Sequence, residues 1–354
     1  MMDISTSYYS DFTRISNSNI GWFLQKGPAY LHKMLTEPEE ESNSTLERGT
    51  MVHEYILQPE EFQKDYVVWN KPKPTSLQQK TFCEELANSL EIEPNKAILS
   101  AYKTAYSTKG KKDEQMLSEG LKIASELSDY ITFLKSGDHR KMITLSDVKM
   151  LEKIKYNIES HKLANKIVWP IGYAMKEGYC TQFRIHAPDD KICKPKDAGY
   201  YHEFHINWEF EDEETHLNIM SCKSLLDSVT FDFKTKVCTI VDLKTTGKLY
   251  GFEESMKTYD YCRQLMYYTL ACKWYLKNEL GQNVDEWTFD WYIVCIDVVS
   301  SFDIRVFRFT TEQIFSRLDT IVNAIQDIAW HWEHNLWDHS KAYYEGDGSE
   351  LLNL

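Results

Sequence analysis

Apolar positions follow a helical period in the first half of the chain. They recur at i, i+3, i+4 and i+7 in residues 144–168, which is typical of an amphipathic helix. Another helix is expected to begin near Thr45 and to end at Gln58, because Pro59 blocks its continuation. Residues 1–170 are therefore predicted to be mainly helical.

The pattern changes near residue 198, beyond which short apolar runs indicate strands. The predicted strands lie in 200–210, 217–232, 236–246, 288–299 and 302–310, and the predicted helices in 252–281 and 310–337. Three strands, a helix, two strands and a helix predict an α/β fold with a mixed sheet flanked by helices. We interpret the chain as one domain over 1–354, in which a helical N-terminal portion precedes an α/β core at 198–354.

The composition indicates a packed protein and limits its function. Hydrophobic residues make up 42% and aromatic residues 14% of the chain, which is enough for a core and unlike a disordered protein. The net charge of −14 disfavours a protein that coats nucleic-acid phosphates through surface charge. It is compatible with an enzyme whose acids hold a metal ion.

Cysteine usage and hydropathy place the chain among cytoplasmic proteins. The eight cysteines form no C-x2-C pair, so neither a zinc site nor a disulfide framework is expected. No apolar run approaches the roughly 20 residues needed to cross a bilayer. The first residues lack the charged and apolar regions of a secretory signal. A cytoplasmic protein without a membrane partner is therefore expected.

An acid and a base stand two residues apart in "TIVDLKTTG" (239–247). Asp242 and Lys244 should face the same side of a strand, because side chains alternate along it. A carboxylate binds hard cations and an ammonium group steadies negative charge on a phosphate, so the pair suits metal-assisted phosphodiester hydrolysis. The pattern alone also fits a salt bridge at an exposed strand end. Similar stretches at 147–149 and 188–191 lie in a polar helix and a charged loop, and are not expected to be catalytic.

A second acid, Asp227, lies in the preceding apolar strand. A hairpin turn near 231–236 would make the two strands antiparallel and bring Asp227 beside Asp242. Like charges stay close together in a protein mainly when a cation bridges them, which favours a metal site. The alternative is an aspartate at a turn or strand edge.

The helix predicted after these strands carries polar groups on an otherwise apolar face. Gln264 and Tyr268 are spaced i, i+4 and share that face, and Tyr261 lies one turn earlier. Phosphate oxygens or the carboxylates of a metal site would be suitable partners for them. The alternative is that the tyrosines fill the core, with their hydroxyl groups at its edge.

Four stretches occur in an order that resembles a known enzyme family. They are "GTMVHEYILQPEEF", "CKSLLDSV", "IVDLKTT" and "YCRQLMYYTLA". Their order resembles the RecB-like branch of the PD-(D/E)XK nuclease superfamily, and in particular the phage and prophage exonucleases of the RecE type (exodeoxyribonuclease VIII). The resemblance covers 46–66 and 200–275 and is weak over 67–198, where 171–200 resembles an insertion. It implies a restriction-endonuclease-like core.

The resemblance also implies roles for individual residues. Lys244 would be the catalytic lysine, and Gln264 with Tyr268 would form a Q-x-x-x-Y motif that serves catalysis. The ligands of Mg2+ or Mn2+ would be His53, Asp227, Asp242 and the backbone carbonyl of Leu243, with Glu203 as an additional acid of less defined role. Thr245, Thr246 and Tyr261 would contact DNA. The cysteine grouping that holds an iron–sulfur cluster in some relatives is absent, so no such cluster is expected.

The function implied by the resemblance is that of a metal-dependent deoxyribonuclease. It would degrade duplex DNA from its ends in phage-type recombination or DNA processing, in the cytoplasm of a bacterial cell and encoded by the cell or by a phage. A single-strand annealing protein and further copies of the chain are the implied partners. Two alternatives stay open, namely an endonuclease of the same fold and an interaction scaffold without nuclease activity. The polarity of digestion, the strand preference and the number of metal ions are open as well.

Overall fold

The computed structural model describes residues 8–37, 44–91, 93–170, 183–185, 198–211 and 218–349. Within these residues the chain divides into two compact units, one formed by 1–59 together with 151–354 and the other by 60–150. The two predicted portions, 1–170 and 198–354, do not coincide with these units, and the expected single domain remains a prediction. Most of the expected insertion at 171–200 and the stretch 188–191 lie outside the described residues.

Residues 8–10 of the larger unit are helical, and three further helices follow in the part of the chain that the structure describes. These are α1 (Asn17–Lys26), α2 (Pro28–Thr36) and α3 (Ser44–Leu57). Ser16 caps α1, because its side chain accepts a hydrogen bond from the backbone N–H of Asn19. The expected helix from Thr45 to Gln58 is confirmed as α3, which ends one residue before Gln58.

The smaller unit is mainly helical. Its elements are α4 (Pro59–Asp65), β1 (Tyr66–Val68), α5 (Leu77–Asn88), α6 (Pro94–Ala105), α7 (Asp113–Glu126), α8 (Ser128–Lys135) and β2 (Lys141–Ile143). The short strands β1 and β2 pair in parallel. Helices α5 to α8 enclose a separate apolar core, in which Phe82, Ile98, Tyr102 and Met116 are buried.

The helical pattern over 144–168 forms two helices rather than one. These are α9 (Leu145–Ser160) and α10 (Lys162–Val168). They meet at His161, whose side chain accepts a hydrogen bond from the backbone N–H of Ala164 and so begins the second helix.

The remaining elements form a mixed sheet and its covering helices. In chain order they are β3 (Phe183–Ile185), β4 (Ala198–Glu211), β5 (Asn218–Asp232), β6 (Val237–Thr246), α11 (Phe252–Thr258), α12 (Tyr261–Asn278), β7 (Thr288–Asp297), β8 (Ile304–Phe309), α13 (Thr311–Phe315), α14 (Leu318–His334) and α15 (Lys341–Glu345). The described strands β3 to β8 lie side by side in sequence order. The predicted mixed α/β fold, with a sheet flanked by helices, is confirmed.

Strand directions follow from the connections. β4, β5 and β6 are antiparallel neighbours, and the turn between β5 and β6 is the predicted hairpin. β6 and β7 are parallel, because α11 and α12 carry the chain back to the starting edge, and β8 returns antiparallel to β7. Because of the hairpin and the parallel crossover, strand β6, which carries Asp242 and Lys244 near its end, lies between β5 and β7.

Helices α12 and α14 cover one face of the sheet. Leu265, Met266, Cys272 and Ile325 have no exposed surface and belong to one core cluster with residues of the strands. Two predicted helices are interrupted in this layer. The expected helix 252–281 breaks at Asp260, which has a left-handed backbone (φ 47°), and the expected helix 310–337 breaks near Arg317.

No helix in the described part of the chain is both long and apolar enough to cross a bilayer.

Candidate active site

Strand β6 presents the acid and the base on one side, as the alternation predicts. The ammonium nitrogen of Lys244 lies 2.7 Å from Oδ2 of Asp242. Asp242 is only 1% exposed, so this ion pair is largely withdrawn from water and is not the exposed strand-end salt bridge that was the alternative. A pair at this depth needs further polar contacts, because burying charge costs free energy.

The β5–β6 hairpin brings the second aspartate to the same place. Ser228 pairs with Val241, so Asp227 and Asp242 are the next positions along the two strands. Oδ2 of Asp227 accepts a hydrogen bond of 2.6 Å from the backbone N–H of Leu243. This bond spans the two strands where their ladder pairing ends and fixes the orientation of the Asp227 carboxylate.

Helix α3 and strand β4 complete a group of three possible metal ligands. Nδ1 of His53 lies 3.7 Å from Oδ2 of Asp227. One ligand atom from each of His53, Glu203 and Asp227 lies within 4.8 Å of the other two. The structure therefore brings together three of the residues expected at the metal site, and gives Glu203 a place in that group.

Asp242 stands beside this group with its carboxylate already engaged. Its Oδ2 faces Lys244, and its Oδ1 accepts a hydrogen bond of 3.0 Å from Nε2 of Gln264. The expected coordination by Asp242 and by the Leu243 carbonyl remains a prediction.

Glu203 occupies its position through an unusual backbone. Its φ of 46° is left-handed, although the residue lies inside a strand and is not glycine. The inward-facing pattern of β4 changes phase here, because Phe204, Ile206 and Trp208 face the same core cluster as Tyr201. Strand alternation alone could not have located the Glu203 side chain.

The acids of the site hold protons more tightly than isolated carboxyl groups do. Burial, followed by the charges of Asp227, Asp242 and Glu54, raises the pKa of Glu203 from 4.5 to about 9. Burial raises the pKa of Asp242 to about 6, and Lys244 opposes that rise. Burial also raises the pKa of Asp227. Carboxyl groups crowded in this way favour either a proton or a cation.

The two nitrogen bases of the site differ in charge. Burial and the neighbouring Lys244 lower the pKa of His53 to about 4, so the imidazole is neutral near pH 7 and can act as a ligand. For Lys244, burial works against the charged form, but Asp242 and Asp227 raise its pKa overall. Lys244 is therefore an ammonium ion that can donate hydrogen bonds.

Helix α12 contacts the ion pair through the side chain of Gln264. The Gln264 side-chain amide donates to Asp242 and also to the hydroxyl oxygen of Tyr268, at 2.9 Å. The sequence left phosphate and carboxylate open as partners, and the structure shows the carboxylate. Tyr268 is buried and contacts Gln264, so it acts on the site through that amide.

The three residues expected to contact DNA lie around the end of β6. The ammonium group of Lys244 sits over the ring of Tyr261, 5.1 Å from its centroid. Oγ1 of Thr246 accepts a hydrogen bond from the backbone N–H of Lys248, and Thr245 lies against Gly49 of helix α3. Their contact with DNA remains a prediction.

The sequence did not reveal how Arg48, Gly49 and Glu54 shape the site. Arg48 donates from its guanidinium to the backbone carbonyl of Val298 at 3.1 Å, which ties α3 to the loop after β7. Gly49 lets α3 approach β6, because a Cβ there would lie 3.1 Å from Oγ1 of Thr245. Glu54 adds negative charge near Glu203. The adjacency of Glu54 to His53 was the one signal that could have drawn attention to it.

Comparisons with known proteins add little. No family model matches the chain, and no curated protein matches it. One similar solved structure is described as a "Putative exonuclease" from Eubacterium rectale; it has 13% sequence identity and a TM-score of 0.43, and the match covers 100% of this chain and 96% of that one. Similarity at this level carries no argument about function, so the case rests on the geometry.

Proposed function

We propose that this protein is a metal-dependent deoxyribonuclease of the PD-(D/E)XK type, with Mg2+ or Mn2+ as its cofactor. One observation carries the proposal. A possible ligand group of His53, Glu203 and Asp227 lies directly beside a buried Asp242–Lys244 ion pair. Metal-assisted phosphodiester hydrolysis uses a cation held by oxygen and nitrogen ligands, and a positive group beside the reacting phosphate assists it.

The residues fit a hard divalent cation. Glu203 and Asp227 supply carboxylate oxygens and neutral His53 supplies a nitrogen, which suits Mg2+ or Mn2+. Asp242 is close enough that its charge raises the pKa of Glu203. A bound cation would polarise the scissile phosphate and lower the pKa of an attacking water molecule.

The chain's own groups would orient the reaction. Lys244 keeps its proton and would donate hydrogen bonds to the attacking water or to a phosphate oxygen. Asp242 and the ring of Tyr261 hold the Lys244 ammonium group in place. Gln264 in turn donates a hydrogen bond to the carboxylate of Asp242 and so helps to position the carboxylate that pairs with the Lys244 ammonium group.

The finer proposal is an exonuclease that degrades duplex DNA from its ends in phage-type recombination in a bacterial cytoplasm. Its partners would be a single-strand annealing protein and further copies of this chain. This part is supported only by the order of sequence motifs. An endonuclease of the same fold and a scaffold without activity are therefore outcomes of the test.

The test compares linear with covalently closed circular duplex DNA in Mg2+, Mn2+ or EDTA. We expect cation-dependent cleavage of the linear form alone. Cleavage of the circle would indicate an endonuclease, and no cleavage of either form, with no Mn2+ binding by isothermal titration, would overturn the nuclease proposal.

Two lysine variants test whether Lys244 is the catalytic lysine. Lys244→Ala should abolish cleavage and keep the circular dichroism spectrum of the folded protein. Lys149→Ala is the control, because Lys149 belongs to the D-x-K stretch of the same spacing on helix α9 and is exposed. Equal activity in the two variants would remove Lys244 from the mechanism.

A further inference from the structure

The break between helices α11 and α12 sets two tyrosine rings side by side. In a continuous helix, residues i and i+2 lie on different faces and their side chains do not meet. Here Asp260 has a left-handed backbone (φ 47°, ψ 60°), and the rings of Tyr259 and Tyr261 are nearly parallel, with centroids 5.9 Å apart and an interplanar angle of 24°.

An ion pair between Arg317 and Asp260 stabilises the break between the two helices. The Nε of Arg317 donates to both carboxylate oxygens of Asp260, at 2.9 and 3.1 Å. The Asp260 side chain also accepts a hydrogen bond from the backbone N–H of Arg263 and so caps helix α12. A left-handed conformation costs a non-glycine residue free energy, so its retention next to the candidate site needs these compensating contacts.

The two tyrosines belong to a short series of aromatic rings that starts in the core. Phe252 is 2% exposed, and its ring lies nearly parallel to that of Tyr261 at 5.7 Å. The Tyr261 ring contacts the Lys244 ammonium group. Tyr259 is the outermost ring and is 61% exposed, so an aromatic face is open to solvent one ring away from the proposed catalytic lysine.

We propose that Tyr259 stacks on an unpaired nucleobase of the substrate strand close to the scissile phosphate. This inference rests on the proposed nuclease function and deepens it. Proteins hold single-stranded nucleic acid with exposed aromatic rings and nearby positive groups, because every base has a flat face and every nucleotide a negative phosphate. Here Tyr259 is the exposed ring, and Lys244 lies over the neighbouring ring of Tyr261. Tyr259 thereby selects strands whose bases are splayed out of the duplex.

The experiment combines one change in the protein with one change in the substrate, as in a double-mutant cycle. Cleavage with Mn2+ is measured for single-stranded oligonucleotides that are intact or carry one abasic nucleotide, placed in turn at each of the first three positions on either side of the cleaved bond. For the wild type, one abasic position should raise KM by about tenfold, as expected for the loss of one base–aromatic stack. In Tyr259→Ala that penalty should vanish, while KM for the intact strand rises by about the same factor.

Two further variants separate stacking from other effects. Tyr259→Phe keeps the ring and loses the hydroxyl group, so it should behave as the wild type. Tyr250→Ala is the matched control, because Tyr250 is 89% exposed and lies beside Arg305 rather than in this ring series. The abasic penalty should persist in it.

Each result is decisive. An abasic penalty in Tyr259→Ala equal to that of the wild type overturns the stacking role while leaving the nuclease function intact. Loss of the penalty in Tyr259→Phe also overturns it, since a hydroxyl contact would then be responsible. If the wild type cleaves linear duplex DNA but none of these single strands, the stacking role is overturned and the nuclease function stands. If it cleaves neither the single strands nor linear duplex DNA, the proposed function falls and this inference falls with it.

Discussion

Replacing Glu203 with glutamine should stabilise the protein in the absence of a cation. The carboxyl group is partly buried near other acids, and this burial with the charges of Asp227 and Asp242 raises its pKa from 4.5 to about 9. Near pH 7 the folded protein must therefore either keep a proton on Glu203 or hold a buried, uncompensated charge. Glutamine has nearly the same shape as the protonated acid and carries no such cost.

The sign and size of the effect follow from proton linkage. A carboxyl group whose pKa is higher in the folded than in the unfolded state binds more protons when folded, so stability is lost as pH rises between the two values. One pKa unit corresponds to about 1.4 kcal/mol, so the free energy of unfolding should fall by about 3 kcal/mol between pH 4.5 and pH 7 because of Glu203. The variant should recover about that amount at pH 7 and less than about 1 kcal/mol at pH 5.

The measurement is urea-induced unfolding at pH 5, 6, 7 and 8, with EDTA or with Mn2+. In EDTA, Glu203→Gln should be more stable than the wild type, and the difference should grow with pH. With Mn2+ the difference in the free energy of unfolding between the variant and the wild type should become smaller or change sign. The reason is that a cation that binds only the folded wild type adds about 2.7 kcal/mol at one hundred times its Kd. Glu254→Gln, at an exposed position of α11, is the matched control. It should change the dependence of stability on pH neither in EDTA nor in Mn2+.

Two results would refute this reasoning. If Glu203→Gln is less stable than the wild type in EDTA at pH 8, the carboxylate makes favourable contacts that outweigh its burial. If Mn2+ stabilises both proteins equally, Glu203 is not a ligand, and the group that it forms with His53 and Asp227 is not the metal site.

Three other substitutions test the site and the fold. Gln264→Met should lower the cleavage rate or the Mn2+ affinity by about 10- to 100-fold, as measured by initial rates against Mn2+ concentration, because it removes the amide that orients the ion pair; initial rates that are unchanged at every Mn2+ concentration would contradict this role. His53→Ala should weaken Mn2+ binding in isothermal titration, and equal affinity would exclude this histidine as a ligand. Gly120→Ala should destabilise the smaller unit by about 1–3 kcal/mol in urea unfolding, because the new Cβ would lie 2.7 Å from Cγ2 of Ile98. Gly251→Ala, which meets no atom within 4 Å, is its control, and equal loss in both would refute the packing argument.

The sequence predicted those features that depend on local periodicity. Alternation along β6 placed Asp242 and Lys244 on one side, and the 2.7 Å ion pair confirms it. The hairpin near 231–236 follows from two apolar runs joined by a polar turn, and it fixes the register that brings Asp227 to Asp242. The i, i+4 spacing of a helix joined Gln264 to Tyr268, and the hydrogen bond between them confirms it.

Features that depend on long-range contacts could not be predicted in the same way. The helix expected over 252–281 has a continuous helical pattern, and it breaks because Asp260 is held by Arg317, which is 57 residues away in sequence. The role of Gly49 depends on Thr245, which belongs to a strand far along the chain. No local pattern carries such information, since the partner residue is fixed only by the tertiary fold.

Backbone conformation gives a last argument about where the functional surface lies. Five non-glycine residues in the described part of the chain have a positive φ. Three of them, Lys236, Phe302 and Asn335, lie in a hairpin, a strand connection and a helix end, where such a conformation is ordinary. The other two are acids: Glu203 lies inside strand β4, and Asp260 lies between helices α11 and α12. Strain of this kind persists only where other contacts compensate for it, and it occurs most often at functional sites. Of these two strained acids, Glu203 belongs to the possible ligand group, and Asp260 adjoins Tyr259, the residue proposed to stack on a nucleobase, so both proposals fall where the backbone is strained.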